Sequence, residues 1–267
     1  VNDLDNVLYE IINEGGATEW QYHMINFIKE TESTLPKQHV VGMTHRGDKK
    51  MTNQMLLDSP ADWISPNAAS FPWTLGDSTL TTTFKEDPPQ ADGTKVIMND
   101  TDHLWGHGGN HKWIWKSFLR GLNPIFMDPW DPLPGRKNDS NAPGWLINSD
   151  GISKDDRNYP DSELMRLNMG YTLRLANKIN LNKMIPRADL SSTTYCLADE
   201  GNEYLVYLPS GGKAKVDLRK ASSRFKATWF IPLLNKTLEA PKRIEGKSIL
   251  SIEAPTSLDA VLHLLKE

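Results

Sequence analysis

Short apolar runs alternate with amphipathic stretches over residues 1–185. Apolar runs that end in polar or turn-forming residues predict strands. Such runs occur at 7–12, 39–44, 62–66, 95–99 and 123–128. Strands that alternate with helices favour βα units, in which parallel strands form one sheet with helices packed on it.

Helical periodicity between these runs predicts helices. The first begins at Thr18, where Gln21 would complete a capping box. Its apolar face comprises Trp20, Met24, Phe27 and Ile28. A second helix covers 113–119, and Gly121 would end it. A third covers 162–179, with an apolar face of Leu164, Leu167, Tyr171, Leu175 and Ile179.

Residues 193–267 have a pattern typical of an all-β domain. Turn clusters such as 209–212 separate apolar runs at hairpin spacing. The runs predict strands at 194–198, 203–208, 214–218, 225–231, 248–252 and 260–264. The polar segment 183–192 contains Pro186 and is the expected linker. We therefore predict an α/β domain over 1–185 and a small antiparallel β-sandwich over 193–267.

Composition excludes several classes of protein. The 267 residues are 38% hydrophobic and 24% charged, which is typical of a folded protein of one or two domains. A net charge of -4 gives no basic field for nucleic acid, so we expect no nucleic-acid partner. No apolar run approaches the ~20 residues that cross a bilayer, so we expect no membrane insertion. The single cysteine, Cys196, is expected to be a buried, inert thiol.

Polar residues cluster where predicted strands end, and parallel sheets place their sites at the carboxyl ends of strands. The clusters are Asn13–Glu14, the run 99–103, and 128–131, and each contains carboxylates. Two carboxylates across such an edge suit glycoside cleavage, in which one protonates the leaving oxygen and the other stabilises or attacks the sugar carbon. Taken singly, each residue more commonly caps a helix or fixes a turn.

Tryptophan strengthens the carbohydrate interpretation. Eight of the nine tryptophans precede residue 150. Those at or beyond strand ends could stack on sugar rings, namely Trp63, Trp73, Trp105 and Trp130. Those on helices are expected in the core, namely Trp20, Trp113 and Trp115.

Three histidines are spaced four residues apart, at His103, His107 and His111. On one helix this spacing would align metal ligands. Glycines interrupt the stretch at 106, 108 and 109, which disfavours a continuous helix. We expect no metal and no cofactor.

The residue runs 9–14, 96–106, 115–121 and 123–129 together resemble a bacterial apiosidase-like glycoside hydrolase family of (β/α)8 barrels. The runs 195–198, 203–209 and 216–218 and the pair Trp229–Phe230 resemble the sandwich domain described there as a "putative collagen-binding domain of a collagenase". The run Asn-Asp-Thr-Asp-His-Leu-Trp-Gly from residue 99 is the most specific of these motifs.

The resemblance implies that Glu14 ends barrel strand four and acts as the acid/base. The run 100–103 then ends strand seven, and the second catalytic carboxylate is Asp100 or Asp102, with Asp102 favoured. Alternation along a strand points both side chains the same way, so the sequence does not choose between them. The expected substrate contacts are Asn13, His103, Trp105, Trp63, Asp128 and Trp130.

On this assignment the chain contains the C-terminal part of a (β/α)8 TIM-like barrel, strands four to eight, followed by the sandwich. The chain begins at Val1 and runs almost directly into a strand, without a charged-then-apolar leader. An open barrel would leave unpaired strand edges and an exposed apolar interior. We therefore expect a missing N-terminal barrel half, either upstream or from another chain, and little activity from this chain alone.

The sequence thus predicts a glycoside hydrolase-like protein that acts on polysaccharide or oligosaccharide side chains, in an extracellular or periplasmic location. The alternative is a non-catalytic adhesion module that binds glycan or collagen. For residues 193–267, a module that packs against the barrel is the simpler role.

Overall fold

The computed structural model describes residues 1–46, 50–67, 87–101, 109–127, 162–240 and 242–267. Within these ranges the protein combines a parallel sheet flanked by helices with antiparallel sheets. None of the helices in this part of the chain is long and apolar enough to cross a membrane.

The N-terminal sheet has five parallel strands in the order β1-β2-β3-β4-β5. The strands are β1 Tyr9–Glu10, β2 Val41–Thr44, β3 Trp63–Ser65, β4 Val96–Asp100 and β5 Asn123–Ile125. Each lies within or overlaps a predicted run. Sequence order equals spatial order, and the parallel direction requires the chain to return to the same end of the sheet between successive strands.

The helices are α1 Thr18–Glu32, α2 Asn53–Asp58, α3 His111–Leu119 and α4 Ser162–Ala176. Gly121 ends α3 as predicted, with a φ of 75° that suits glycine. Helix α2 was not predicted, because its six residues are too few for a periodic pattern. Thr52 caps α2 by accepting a hydrogen bond from the Met55 amide at 3.3 Å.

Helix α1 begins at Thr18 as predicted, but the predicted capping box is wrong and its apolar face is partly mispredicted. The N-cap is Ala17, without a side-chain cap, and the Gln21 amide donates instead to the Gly15 carbonyl at 2.7 Å. The buried side chains are Gln21, Ile25 and Glu32, whereas Trp20 and Phe27 are 45% and 53% exposed. Hydrogen bonds from the Gln21 side-chain amide and to the Glu32 carboxylate offset part of the cost of burying these groups, so a partly polar stripe faces inward.

The face of α4 is also partly mispredicted. Its most deeply buried side chains are Met165, Asn168 and Thr172, whereas Leu167 is 42% exposed. Asn168 is buried because its side-chain oxygen accepts from the Trp115 indole N–H at 2.7 Å. A polar partner across the interface therefore determines which side of α4 turns inward.

Helices cover one face of the parallel sheet. Alternate strand residues Val41, Met43, Ile64 and Ile97 form a core with Ile25, Leu56, Trp113 and Ile114 of the helices. The intervening positions belong to the opposite face, here called the far face, which carries Glu10, Thr44, Ser65 and Asp100.

The C-terminal part contains all six predicted strands and three more. The strands are β6 Ile185–Pro186, β7 Cys196–Asp199, β8 Glu203–Leu208, β9 Lys213–Asp217, β10 Arg224–Ile231, β11 Lys236–Glu239, β12 Ile244–Glu245, β13 Ile249–Glu253 and β14 Ala260–Lys266. A seven-stranded sheet has the order β11-β10-β14-β8-β7-β6, with β12 on β10, and β9 pairs with β13.

Two expectations about connections are corrected by this topology. The turn at 209–212 joins β8 and β9, which lie in different sheets, so it does not close a hairpin. The segment 183–192, expected to be a linker, contains β6, and Leu190 within it is 5% exposed. The short strand pairs with β7, a long-range contact that local composition does not encode.

Strand β8 is buried on both faces. Its residues Tyr204, Val206 and Leu208 join the core between the two antiparallel sheets. Its residues Leu205 and Tyr207 pack instead against Trp115 and its neighbours on the helices. The seven-stranded sheet is therefore a middle layer, which explains why every residue of β8 is buried.

Trp115 is the centre of the contact between the helices and the seven-stranded sheet. Its ring lies 6.2 Å from Tyr207, nearly parallel to it, and 5.7 Å from Phe230. The side chain is fully buried. As predicted, Trp113 and Trp115 are core residues, and Trp115 joins the two halves of the chain.

A buried arginine reinforces the same interface. Arg120, 1% exposed, donates to the Pro88 carbonyl at 2.6 Å and to the Thr194 hydroxyl at 2.8 Å. It also forms an ion pair with Asp87 at 2.9 Å. Tyr195 donates its hydroxyl proton to Asp87 at 2.6 Å, and burial raises the pKa of Tyr195. Loss of Asp87 would leave the buried Arg120 charge without its ion-pair partner.

Cys196 is buried in β7, as expected. Burial raises the pKa of its thiol to about 12, which keeps the sulfur protonated and unreactive at neutral pH.

Replacement of Trp115 by alanine should destabilise the whole chain. The change empties a fully buried site and removes the indole donor of Asn168. We expect a loss of about 3–5 kcal/mol in the free energy of unfolding, measured by urea denaturation. Trp20→Ala, at a half-exposed position, is the control and should cost much less. Equal losses would contradict a central role for Trp115.

The carboxylate of Glu32 connects the end of α1 to the start of β2. It accepts from the His39 amide at 2.6 Å and the His39 ring at 2.8 Å. Burial opposes its ionisation, but hydrogen bonds from His39, Asn2 and Tyr9 outweigh that and lower the pKa of Glu32 to about 2. The Leu4 carbonyl and the Glu32 carboxylate in turn raise the pKa of His39.

Glu32→Gln should therefore destabilise the protein in a pH-dependent way. Because the pKa of Glu32 falls from 4.5 to about 2 on folding, its contribution is complete above pH 4.5 and is lost toward pH 2. Protonated His39 makes a second contribution to the free energy of unfolding through its contact with Glu32. This contribution is complete below pH 6.5 and is lost above the raised pKa of His39. Urea denaturation should separate wild type from the variant most between pH 4.5 and 6.5.

The exposed Glu30→Gln on the same helix is the matched control and should show no such window. A difference between wild type and Glu32→Gln that stays constant down to pH 2 would contradict the proposed linkage.

Candidate functional site

The carboxyl edge of the parallel sheet carries polar residues on its far face. Glu10 ends β1, Thr44 ends β2, Ser65 ends β3 and Asp100 ends β4. The Thr44 hydroxyl donates to the Glu10 carboxylate at 2.5 Å. Parallel strands present their carboxyl ends at one edge, so acids from the first and fourth strands share that edge.

Asn13 and Glu14 lie in the turn that follows β1, and both are exposed. Glu14 has a φ of 51°, in the left-handed region that few non-glycine residues adopt. Just beyond the turn, Arg46 from the end of β2 donates to the Gly16 carbonyl at 2.7 Å. The turn is therefore held to the neighbouring strand, and a strained residue at such a place is a reason to examine it for function.

Asp100 is placed by its neighbours on both sides. Asn99 points to the helices, where its amide donates to the Ser117 hydroxyl at 3.1 Å. Thr101 is fully buried; its amide donates to the Ile125 carbonyl at 3.0 Å, and its hydroxyl accepts from the Met127 amide at 2.9 Å. These contacts fix β4 against β5 and α3, so alternation places the half-buried Asp100 on the far face.

Other predicted site residues lie outside the described residues. They are Asp102, His103, Trp105, Asp128 and Trp130, together with the candidate platform Trp73. Their roles stay predictions.

Trp63 lies in β3 beside Gly42 of β2. Its ring occupies the space above that glycine, where an added Cβ would come within 1.8 Å of the indole. The residue is only 7% exposed, and its indole nitrogen has no hydrogen-bond partner within the described ranges. Trp63 thus forms part of the floor of the far face, with little ring surface open to a ligand.

His111 is the first residue of α3, while His103 and His107 lie outside the described residues. Its Nε2 is 3.3 Å from the buried carboxylate of Asp259, which also accepts from the Tyr207 hydroxyl at 2.9 Å. Within the described part of the chain, no group of three or more His, Cys, Asp or Glu side chains could hold a metal ion.

Glu10, Thr44 and Ser65 also lie at this edge and were not predicted. The sequence did contain a signal for Glu10. Side chains alternate along an extended chain, so residues 10 and 14, an even number apart, are expected on the same side. Thr44 and Ser65 gave no comparable signal, since a hydroxyl at a strand end most often serves a turn.

Geometry limits what this edge can do. Strands three positions apart in a flat sheet are separated by about 14 Å, at ~4.8 Å per step. Glycosidase carboxyl groups lie about 5–5.5 Å apart in retaining enzymes and about 6.5–9.5 Å in inverting ones. Acids from β1 and β4 can therefore act together only on a curved sheet, where inward side chains converge.

Comparison with known proteins agrees with this architecture. Residues 182–264 match the family model described as "Putative collagen-binding domain of a collagenase". A solved "Glycoside hydrolase" is similar over 94% of this chain and 69% of its own, with a TM-score of 0.55 and 12% identity. The chain has a glycoside hydrolase-like fold.

Two further solved structures come from Bacteroides vulgatus ATCC 8482. A glycoside hydrolase of family 5 has a TM-score of 0.59 and 15% identity over 89% of this chain and 58% of its own. A "putative glycoside hydrolase" has a TM-score of 0.56 and 11% identity over 98% of this chain and 52% of its own. The chain thus spans little more than half of these two relatives. No curated protein matches the sequence.

These comparisons confirm the resemblance at the level of a glycoside hydrolase-like fold, in which residues 182–264 match the collagen-binding family model. At such low identity the structural likeness concerns the fold alone.

Gly42→Ala should disturb the floor of the far face. The added Cβ would overlap the Trp63 ring, so the ring must move. We expect a loss of about 1–3 kcal/mol in stability, with a shift in tryptophan fluorescence. Gly170→Ala in α4 is the control, since a Cβ added there would meet no neighbouring group within 4 Å. It should gain about 0.5–1 kcal/mol in stability from helix propensity. Unchanged stability and fluorescence in Gly42→Ala would refute this packing.

Proposed function

We propose that the chain belongs to a glycoside hydrolase that acts on polysaccharide or oligosaccharide side chains, with Glu14 as the acid/base. The second carboxylate is Asp100 or Asp102. The observation that carries the proposal is the arrangement of the parallel sheet: β1 and β4 end at one edge, and Asp100 lies on the face opposite the helices. The glycoside hydrolase-like fold supports the same reaction class.

In the proposed reaction Glu14 protonates the glycosidic oxygen as the bond to the leaving sugar breaks. The second carboxylate attacks the anomeric carbon at short separation, or activates a water at longer separation. Asn13 binds a sugar hydroxyl beside the acid, and His103 and Asp128 supply further polar contacts. Trp105 and Trp130 stack on sugar rings, with Trp63 below them in the floor.

We further propose that β1 to β5 are strands four to eight of a (β/α)8 barrel. Parallel sheets are buried on both faces, yet Val96 and Ile125 on the far face are 49% and 38% exposed. Leu8 and Val40, which precede β1 and β2, are 51% and 47% exposed. A further barrel half, upstream or from another chain, would cover these residues and pair with the outer edges of β1 and β5.

The flanking helices support the same completion. Trp20 and Phe27 on α1 are about half exposed, as are Leu167 and Leu173 on α4. In a barrel these helices would each meet a neighbour contributed by the other half, which would bury their apolar side chains.

Loss of Glu14 should abolish hydrolysis by the completed barrel. We expect Glu14→Gln to lower kcat about 10²–10⁴-fold on responsive aryl glycosides or oligosaccharides, because it removes the transferable proton. Glu19→Gln, also exposed and near the same turn, should leave kcat unchanged. Full activity of Glu14→Gln would reject this residue as the acid/base.

Asp100→Asn and Asp102→Asn, assayed in the same protein, identify the second carboxylate. The variant that lacks the reacting carboxylate should lose as much activity as Glu14→Gln does. The other variant should lose much less. Product stereochemistry followed by NMR then distinguishes a retaining from an inverting reaction.

The chain alone should have little or no activity and should bind a hydrophobic dye, because the far face is incompletely covered. Addition of the missing barrel half should lower dye binding and should produce glycoside hydrolysis. Ordinary enzymatic rates from the isolated chain would overturn the barrel-half proposal while leaving the hydrolase proposal intact.

The family match of residues 182–264 favours a second candidate function, adhesion to collagen or glycan without catalysis. Retention on an immobilised polymer with no turnover in the completed protein would support it. Both functions suit an extracellular or periplasmic location.

A further inference from the structure

A cleft of about 410 Å³ lies between the end of α4 and the side of the seven-stranded sheet that faces the helices. The helix and the residues just after it contribute Tyr171, Arg174 and Lys178, and the sheet contributes Phe230, Thr237 and His263. Small-molecule sites commonly occupy about 300–1,000 Å³. None of the lining residues belongs to β1 to β5, so the cleft is separate from the candidate catalytic edge.

The cleft exists because α4 covers only part of the sheet. Phe230 packs under the helix, with its ring 5.5 Å from Tyr171 and perpendicular to it. Phe230 pairs with Thr237 on β11, and Thr228 pairs with His263 on β14. The floor therefore changes from aromatic under the helix to polar beyond it.

The charge of the cleft is positive, in a chain whose net charge is -4. Arg174 and Lys178 lie on one wall, and none of the described lining residues is Asp or Glu. His263 Nε2 is hydrogen-bonded to the Glu203 carboxylate at 2.7 Å, and Glu203 itself is not among the lining residues. An anionic ligand would meet two cations without a competing acid in the lining.

Arg174 is held ready for such a ligand. Its guanidinium lies 4.5 Å from the centre of the Tyr171 ring and donates to the Asn235 side chain at 2.7 Å. A guanidinium has five N–H donors, so one hydrogen bond to Asn235 leaves others for a carboxylate. Fixing the side chain in advance lowers the entropy cost of binding.

We propose that this cleft binds a uronate residue of an acidic polysaccharide. The carboxylate pairs with Arg174 and Lys178, the apolar side of the sugar ring packs on Tyr171 and Phe230, and the Thr237 hydroxyl serves the ring hydroxyls. Carboxylate and ring together fit this combination of cations, aromatic side chains and hydroxyls better than a small inorganic anion does. The cleft goes beyond the proposed hydrolysis, since it would hold polymer away from the catalytic edge.

Calorimetric titration of the chain with trigalacturonate tests the proposal, with neutral maltotriose, inorganic phosphate and a triple-helical Gly-Pro-Hyp peptide as comparison probes. We expect binding of trigalacturonate only. Arg174→Gln with Lys178→Gln should weaken that binding at least about tenfold, because charge-assisted hydrogen bonds are lost. Thermal melting checks that the variant is folded.

Matched controls locate the site. Lys215→Gln removes an exposed cation of β9 in the other sheet and should leave affinity unchanged. Glu14→Gln should also bind normally, which distinguishes the cleft from the catalytic edge. Absence of trigalacturonate binding, equal binding by phosphate or maltotriose, binding of the collagen-like peptide through Arg174 and Lys178, or unchanged affinity in the double variant would each overturn the proposal.

Discussion

The burial requirement of a parallel sheet governs this protein. Both faces of such a sheet need a covering layer, because its strands carry apolar residues on each side. Helices α1 to α4 cover one face around Ile64 and Ile97. The far face combines polar strand ends with exposed Val96 and Ile125. This asymmetry places the candidate chemistry at one edge and motivates the proposal of a second barrel half.

The second organising contact is the layer formed by β8 and Trp115. Since β8 is buried on both faces, the C-terminal sheet contributes as much to packing α3 and α4 as to its own domain. Arg120, with partners on both sides, adds a polar connection that is costly to break. The C-terminal part therefore supports the helices behind the parallel sheet. Where that support ends beyond Phe230, the sheet surface is left open as the cleft that we propose as a uronate site.

The candidate site depends on how closely the carboxylates of different strand ends approach each other, more than on any one residue. Glu14 lies in a strained turn held by Arg46, and Asp100 ends a strand fixed by Thr101 and Asn99. Across a flat sheet their strands would be about 14 Å apart, too far for one sugar linkage. Curvature imposed by closure of a barrel is the physical condition that would bring the carboxylates within reach.

The sequence alone determined where the longer strands and helices form, because burial alternates with period two in strands and near 3.6 in helices, whereas α2, β6, β11 and β12 were not predicted. Every strand of the parallel sheet and all six predicted C-terminal strands follow from that pattern, as does the placement of strand-end acids at one edge. Tertiary structure decided the rest. On α1, Gln21 and Glu32 are buried and hydrogen-bonded to Gly15 and His39, while Trp20 is exposed. The pairing of β6 with β7, the separation of β8 from β9 and the joint burial of Trp115 and Tyr207 depend on contacts between residues far apart in the chain, which no local window contains.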